Sequence, residues 1–384
     1  MGTTITVSVA ANSAQDAAGN GNLVSNIFEV STATPKSEFE KAKPEIKNTI
    51  LGEVQNTLRN TMTIHARLSK DAKDRYIAAQ NRAQNGSGGF AGENNVPFDV
   101  DGVANGTAMR LSTNGTFFGQ QESDDGTKRK IVSGDFAMTA EQGSSVTGSI
   151  SGKVAWEQNL SDKTMYGYFI GAQVNQTDIK TTFTGKQQGY GVNIGSYVVN
   201  EVAENVYIDG FVSLGMGKSD LDMSNDVLNL DGSYETKSAT IGGALTGVYD
   251  MESYEFWPEL AFMAGKSQVG TAKFTGRAYG LVDDTLSLNV GDVTVANLTL
   301  RPEVRIPLDA GNQSGATSQV TFAPRAICER ITTDVTTENC GRGAELGFIR
   351  RSGDGFTQIT GRLSRDYVGT STRTGLELKL EHRF

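Results

Sequence analysis

The strongest constraint on this chain is the alternation of its last twelve residues, Arg373-Thr-Gly-Leu-Glu-Leu-Lys-Leu-Glu-His-Arg-Phe384. Side chains two apart in a strand share a face, so Leu376, Leu378, Leu380 and Phe384 point one way while Glu377, Lys379, Glu381 and Arg383 point the other. One face requires hydrocarbon and the other requires water. A soluble sandwich could satisfy this pattern once, but it recurs upstream. Strands of about ten residues, apolar outward and polar inward, are the signature of a transmembrane β-barrel.

Composition fits that reading. No stretch of about 18 apolar residues exists, which excludes membrane-spanning helices. A barrel presents only every second residue to lipid, so a negative mean hydropathy is no obstacle. The net charge of -9 argues against nucleic acid, which needs a basic surface. Forty-five Gly with seven Pro and two Cys is neither collagen nor a disulfide scaffold.

From Lys130 onward, alternating segments separated by turn residues predict about twelve antiparallel strands. They lie near 130–139, 146–158, 164–177, 187–199, 204–217, 236–250, 255–267, 292–307, 318–331, 343–351, 355–367 and 373–384. In one, Val206, Ile208, Val212, Leu214 and Met216 oppose Asn205, Tyr207, Asp209 and Ser213. In another, Ala296, Leu298, Leu300, Val304 and Ile306 oppose Asn297, Thr299, Arg301, Glu303 and Arg305. A row of Arg, Glu and Arg cannot face lipid, where midplane Arg costs about 2–4 kcal/mol. Pro258 and Pro302 predict bulges or strand ends. Short gaps (159–163, 200–203, 251–254, 352–354) alternate with longer ones (178–186, 218–235, 268–291, 332–342), which places short turns and the carboxy terminus on the periplasmic side. A thirteenth strand at 108–119 would make the count odd, so that segment is placed outside the wall.

Upstream the period changes from two to about 3.6. Ile46, Ile50, Val54, Leu58 and Met62, with Leu51, form a narrow apolar stripe on a polar helix, with Pro44 in its first turns. From Pro44 to Leu68 it would span roughly 38 Å, enough to cross a membrane inside a shielding barrel. Asn85-Gly-Ser-Gly-Gly-Phe-Ala-Gly-Glu-Asn-Asn95 reads as a flexible linker. Met1-Gly-Thr-Thr4 has no basic or apolar leader region, so the chain is expected to be a shortened form of a secreted one. The expected organisation is 1–35, 36–84 (helix), 85–128 (linker and possible plug segment) and 129–384 (barrel).

Helix, linker, alternating strands and terminal Phe384 together resemble the translocator unit of an autotransporter, the type V secretion family. The resemblance covers Lys36 to Phe384. Its local elements are the final dodecamer, similar to the signal read by the barrel-assembly machinery (Leu376, Leu378, Leu380, Phe384), and Trp257-Pro-Glu-Leu-Ala-Phe262, similar to a central-strand motif. Asp16-Ala-Ala-Gly-Asn-Gly-Asn22 resembles the closing strand of bacterial immunoglobulin-like surface repeats, which implies a passenger remnant at 1–35. The resemblance implies an outer-membrane barrel in contact with lipid, export and surface anchoring of an adhesin-like passenger, a pore-plugging helix and a monomer. The alternative is a porin-like or adhesive barrel. Helix–lumen contacts are expected from Lys47, Arg59 and Arg67 toward a wall bearing Asp209, Glu259, Arg301, Glu303 and Glu377.

Other chemistry is sparse. His65 and His382 lie far apart, and no zinc spacing exists. Cys328 and Cys340 are expected to form a disulfide at the top of an external loop, as an oxidising envelope favours. Asp99-Val-Asp-Gly-Val-Ala-Asn105 lacks the closing Glu of a calcium loop and reads as a turn. Gly189, Gly191, Gly242 and Gly243 are expected to admit close packing against a lumen helix or to relieve curvature. Glu53-Val-Gln-Asn-Thr-Leu-Arg-Asn60 is similar to the helix that some autotransporters cut by Asn cyclisation, but Asn56 and Asn60 are read as ordinary lumen-facing polar residues. Neither enzymatic activity nor a cofactor is expected.

Overall fold

The computed structural model describes residues 4–31, 33–84, 98–105, 110–123, 127–141, 145–308, 316–353 and 357–382. An antiparallel pair, β1 (Thr4–Val7) and β2 (Phe28–Ser31), precedes helix α1 (Pro35–Gln84). There follow β3 (Phe98–Asn105), β4 (Arg110–Glu122), β5 (Lys128–Glu141), β6 (Val146–Ser161), β7 (Thr164–Lys180) and β8 (Thr184–Ala203). Next come β9 (Val206–Ser224), β10 (Asn229–Gly247), the two-residue β11 (Tyr249–Asp250), β12 (Glu255–Val269), and a side hairpin of β13 (Ala272–Ala278) and β14 (Leu281–Leu288). The chain ends with β15 (Gly291–Pro307), β16 (Thr317–Thr332), β17 (Thr336–Arg351), β18 (Thr357–Val368) and β19 (Ser371–His382).

Each wall strand pairs antiparallel with its neighbour, and β19 pairs with β3 from Arg373 opposite Asn105 to Leu380 opposite Phe98. That seam closes a barrel of fourteen staves, β3 to β10, β12 and β15 to β19. Twelve of them lie where alternation placed them. The other two, β3 and β4, correct the expected count: of 108–119, the described part from Arg110 enters the wall, Asp99 to Asn105 is strand rather than turn, and the barrel starts within the segment assigned to the linker. Parity excluded one added strand but not two, so the carboxy end and the start of the wall still share a rim. Residues 85–97, which hold the whole predicted linker from Asn85 to Asn95, lie outside the described residues, as does Phe384.

The faces follow the alternation. Leu376, Leu378 and Leu380 are 52%, 53% and 43% exposed, and Ile208, Val212, Leu214, Met216, Leu298, Leu300 and Ile306 share that outer surface. Tyr207, Asp209, Ser213 and Glu303 are buried on the inner one. Pro258 and Pro302 do not end their strands. They oppose each other across β12 and β15, the β10 ladder stops at Glu259, and the β15–β16 register skips residues 301–303. The missing amides therefore fall where no ladder bond is made.

The longer external loops are also revised. Segments 178–186, 218–235 and 332–342 are mostly strand, because β7 to β10 run 17, 20, 19 and 19 residues and β16 and β17 run 16 each. Residues 268–291 hold the side hairpin, whose β13 pairs with the top of β10 at Asn229–Ser233. Leu378→Arg should lower barrel stability by about 2–4 kcal/mol if that residue meets mid-bilayer lipid. Urea titration of the folded, heat-modifiable band in lipid vesicles measures this; an unmoved midpoint would place Leu378 elsewhere.

Candidate functional site

The lumen is occupied by α1. Thr34 caps the helix: its Oγ1 accepts the Ser37 amide at 3.2 Å, and Ser37 Oγ accepts the Thr34 amide at 2.8 Å. This is a capping box with Ser in the third position, and Pro35 fills the first helical position, where its missing N–H costs nothing. Pro44 consequently lies inside the helix rather than at its start. With 50 residues the helix is about 75 Å long, twice the length its apolar stripe suggested.

Its direction is fixed by contacts at the two rims. Glu45 Oε1 accepts the Thr182 amide at 3.2 Å and Lys47 meets Asp334 at 2.5 Å, both in turns at the end away from the carboxy terminus. At the other rim, Tyr76 donates to the carbonyl of Asp162 at 2.5 Å. The helix therefore descends toward the rim where β19 ends.

The upper half is held by apolar contact. Phe39, Ile46, Ile50, Leu51, Val54, Leu58 and Met62 are buried against Ile179, Phe183, Leu221, Met223, Phe274, Leu286, Val293 and Val295. Phe39 and Phe274 of the side hairpin have ring centroids 5.5 Å apart. A Cβ at Gly265 would meet Met62 Sδ at 2.7 Å and Leu58 Cδ1 at 3.0 Å, so the helix lies directly on β12. The glycines singled out in the sequence act otherwise. Gly189 and Gly242 make room for cross-strand Asn175 and Phe211 side chains, and Gly191 and Gly243 for neighbouring-strand backbone.

At mid-height the contacts turn polar. Glu53 is buried and accepts from Thr147 Oγ1 at 2.8 Å and Asn175 Nδ2 at 3.3 Å. A cavity of about 50 Å³ beside it is lined by Thr57, Thr61, Gln173, Gln187, Asn193 and Tyr234. That volume admits water, not a polypeptide. His65 is buried, with Nδ1 2.9 Å from Ser213 Oγ and its ring 4.8 Å from that of Phe169. It is a packed and hydrogen-bonded core histidine.

The lower half is held by charge. Lys73 lies 2.7 Å from Asp209 and 3.4 Å from Glu259, with its side chain 2% exposed, and donates to Thr246 Oγ1 at 2.8 Å. Ser69 donates to Asp209 at 2.9 Å. Arg75 meets Glu157 at 2.5 Å, and Tyr197 donates to the same oxygen at 2.8 Å. On the far side, Lys379 of β19 reaches Asp71 at 3.2 Å. Arg67 donates at 2.6 Å to Thr116 Oγ1, which donates at 2.7 Å to Asp135, itself 2.9 Å from Lys153.

The helix is off-centre. It packs on β5 to β10 and β12 to β15 and crosses to the remaining wall through long side chains. Of the residues proposed from sequence, Lys47, Arg59 (2.8 Å from Glu329), Arg67, Asp209 and Glu259 join helix to wall. Arg301, Glu303 and Glu377 do not bond to it. Arg301 bonds Glu303 and Glu345 (2.5 Å), Arg305 bonds Glu303, and Arg362 bonds Glu377 at 3.0 Å. This wall network fills the sector away from the helix, where charged side chains satisfy one another. Lys73, Arg75, Asp71, Glu53 and Glu157 were missed. The signal was the run Lys70-Asp-Ala-Lys-Asp-Arg75, which in isolation is indistinguishable from a solvated helix face. Cys328 and Cys340 form a disulfide, but between directly opposed positions of β16 and β17 rather than in a loop.

No family model and no curated relative matches the chain. Among solved structures it is similar to the translocator domain of the autotransporter NalP from Neisseria meningitidis, at 13% identity and a TM-score of 0.44, covering 82% of this chain and 98% of that one. It is similar to the β domain of the Bordetella autotransporter BrkA at 14% identity and 0.45, covering 76% and 99%. The Pseudomonas putida toluene transporter TodX stands at 11% identity and 0.41, covering 77% and 90%.

Lys73→Met should leave Asp209 buried without its cation and cost about 3–5 kcal/mol, with partial recovery in the double variant Lys73→Met, Asp209→Leu. Unfolding of the plug, followed by its protease susceptibility in urea, should start at lower denaturant in the single variant; identical profiles would mean that the buried pair does not hold the helix.

Proposed function

We propose that this barrel is the outer-membrane translocator of an autotransporter, which exports an amino-terminal adhesin-like passenger, anchors it at the cell surface, and retains α1 as a plug. The carrying observation is the direction of the helix. α1 enters at the rim opposite the carboxy terminus and is fastened from Phe39 to Tyr76, so the segment joined before Pro35 lies across the membrane from the end of β19. A channel for solutes has no need of a continuous, wall-bonded helix oriented in this way.

The amino-terminal segment supports the passenger part of the reading. Asp16 accepts the amides of Ala18 and Asn20, both at 2.9 Å, and the Asn20 side chain at 3.0 Å. These bonds, the Asn20 side chain first, hold its carboxyl below the usual range. Around this tight turn, Ile5, Val7, Leu23, Ile27 and Phe28 stay exposed, as the last strands of a larger sheet would leave them without their neighbours. Leu376, Leu378 and Leu380 offer the barrel-assembly machinery its terminal-strand pattern. The role is non-catalytic and the unit monomeric, with its own passenger as partner.

An epitope placed before Thr4 should be accessible to antibody on intact cells, and deletion of residues 35–84 should abolish that display while the barrel still inserts. Detection only after permeabilisation would overturn export. In planar bilayers, removal of residues 1–84 should raise conductance well above that of the intact chain; equal conductance would turn the reading toward an open channel.

A further inference from the structure

Toward the external rim, the outer face of β17 and β18 carries two cations, Arg342 and Arg365, that neither the plug nor export uses. Lipid-facing Leu346 and Leu363 are cross-strand partners. The next outward positions toward the external rim are Ala344 opposite Arg365, then Arg342 opposite Tyr367. Arg342 and Arg365 are therefore diagonal neighbours, with roughly 7–8 Å between their backbones. The staves tilt by about 35–45°, and along the pairing direction the rows climb with strand order, from mid-wall Ile194 to Thr332 at the upper turn. The diagonal from Arg342 to Arg365 consequently runs nearly level with the membrane.

Both side chains are exposed. The Arg365 guanidinium stands 5.6 Å from the Tyr367 ring centroid, and exposed Thr374 lies opposite Arg365 on β19. Three other outward cations near this rim are paired, Lys218 with Asp220 at 3.7 Å, Lys266 with Asp292 at 2.8 Å and Arg330 with Glu338 at 3.2 Å, while Lys186 and Lys237 each stand without a cation directly opposite them on the neighbouring strands. Arg342 and Arg365 have no acidic partner among the described residues. Immediately below them, Leu346, Leu363 and Leu376 are 57%, 53% and 52% exposed.

We propose that Arg342 and Arg365, with Tyr367 and Thr374, form a binding site for a phosphate-bearing lipid of the adjoining leaflet. Two guanidinium forks, level with one another at the top of a hydrocarbon strip, match a phosphate whose acyl chains continue down over the leucines. A soluble phosphate would use the forks and leave the strip unused. Which leaflet supplies the lipid rests on the export reading, under which it is the outer one.

The test is native mass spectrometry of the full chain in detergent, loaded with a diphosphoryl glucosamine lipid or with its dephosphorylated form. The wild type should retain the phosphorylated lipid, and R342A/R365A should lose it by about thirtyfold. R342K/R365K should fall between them, and K266A should equal the wild type. Equal retention by R342A/R365A, or of the dephosphorylated lipid by the wild type, would overturn the proposal. Release by inorganic phosphate alone would also overturn it, by making the site one for phosphate without a chain. Heat-modifiability of each variant monitors the barrel, and surface display of the epitope monitors export, so failure of either is seen separately from loss of lipid.

Discussion

Everything in this molecule depends on the antiparallel hydrogen bonds between β19 and β3. In hydrocarbon, a peptide group without a partner costs several kcal/mol, so an open sheet of these strands could not stand in a bilayer. Joining the last strand to the first removes both edges. It also creates an inside, and only with an inside can Asp209, Glu303 or Lys379 occupy alternate positions of strands whose other positions face lipid. The seam is short, as is the β3–β4 pairing beside it, because β3 has only 8 residues.

The inside is then filled in two physically different ways. Toward the external rim, α1 is an apolar rod in an apolar collar, held by nondirectional packing from Phe39 to Met62. Toward the other rim it is held by paired charges that specify height and rotation. Such buried pairs add little stability over well-packed apolar residues, but losing one member is costly. They therefore serve to fix position: a helix that slid by one turn would keep much of its apolar contact and would separate Lys73 from Asp209 and Arg75 from Glu157. The signs are mixed, since Asp71 meets a wall lysine while its neighbours meet wall carboxylates.

Most of the wall was legible because, through the middle of β9, β15 and β19, most inward residues are polar and most outward ones apolar. β3 and β4 were not. Asp99, Asp101, Gly102 and Asn105 carry the composition of a turn, and Gly115 and Gly119 interrupt the alternation of β4, so pairing rather than pattern makes them strands. Above the bilayer the code changes as well. Residues 218–224 place Lys218, Asp220 and Asp222 where lipid-facing residues would otherwise stand, while Leu221 and Met223 turn inward to the helix, so a continuing strand reads as a loop. Of the helix, the stripe from Ile46 to Met62 announced itself. The charged half could not, because Lys73 differs from a surface lysine only in what Asp209 and Glu259 bring to it from more than a hundred residues away.

The unequal lengths of the staves have one further consequence. β8, β9 and β10 run 20, 19 and 19 residues, whereas β18, β19 and β3 run 12, 12 and 8. The outer mouth is thus cut obliquely, like a quill, with α1 leaning along its tall side. A polypeptide leaving the top of that helix finds a wall on one side and a sill on the other, and its easiest course is across the sill. The exit from such a mouth has a compass direction as well as a height.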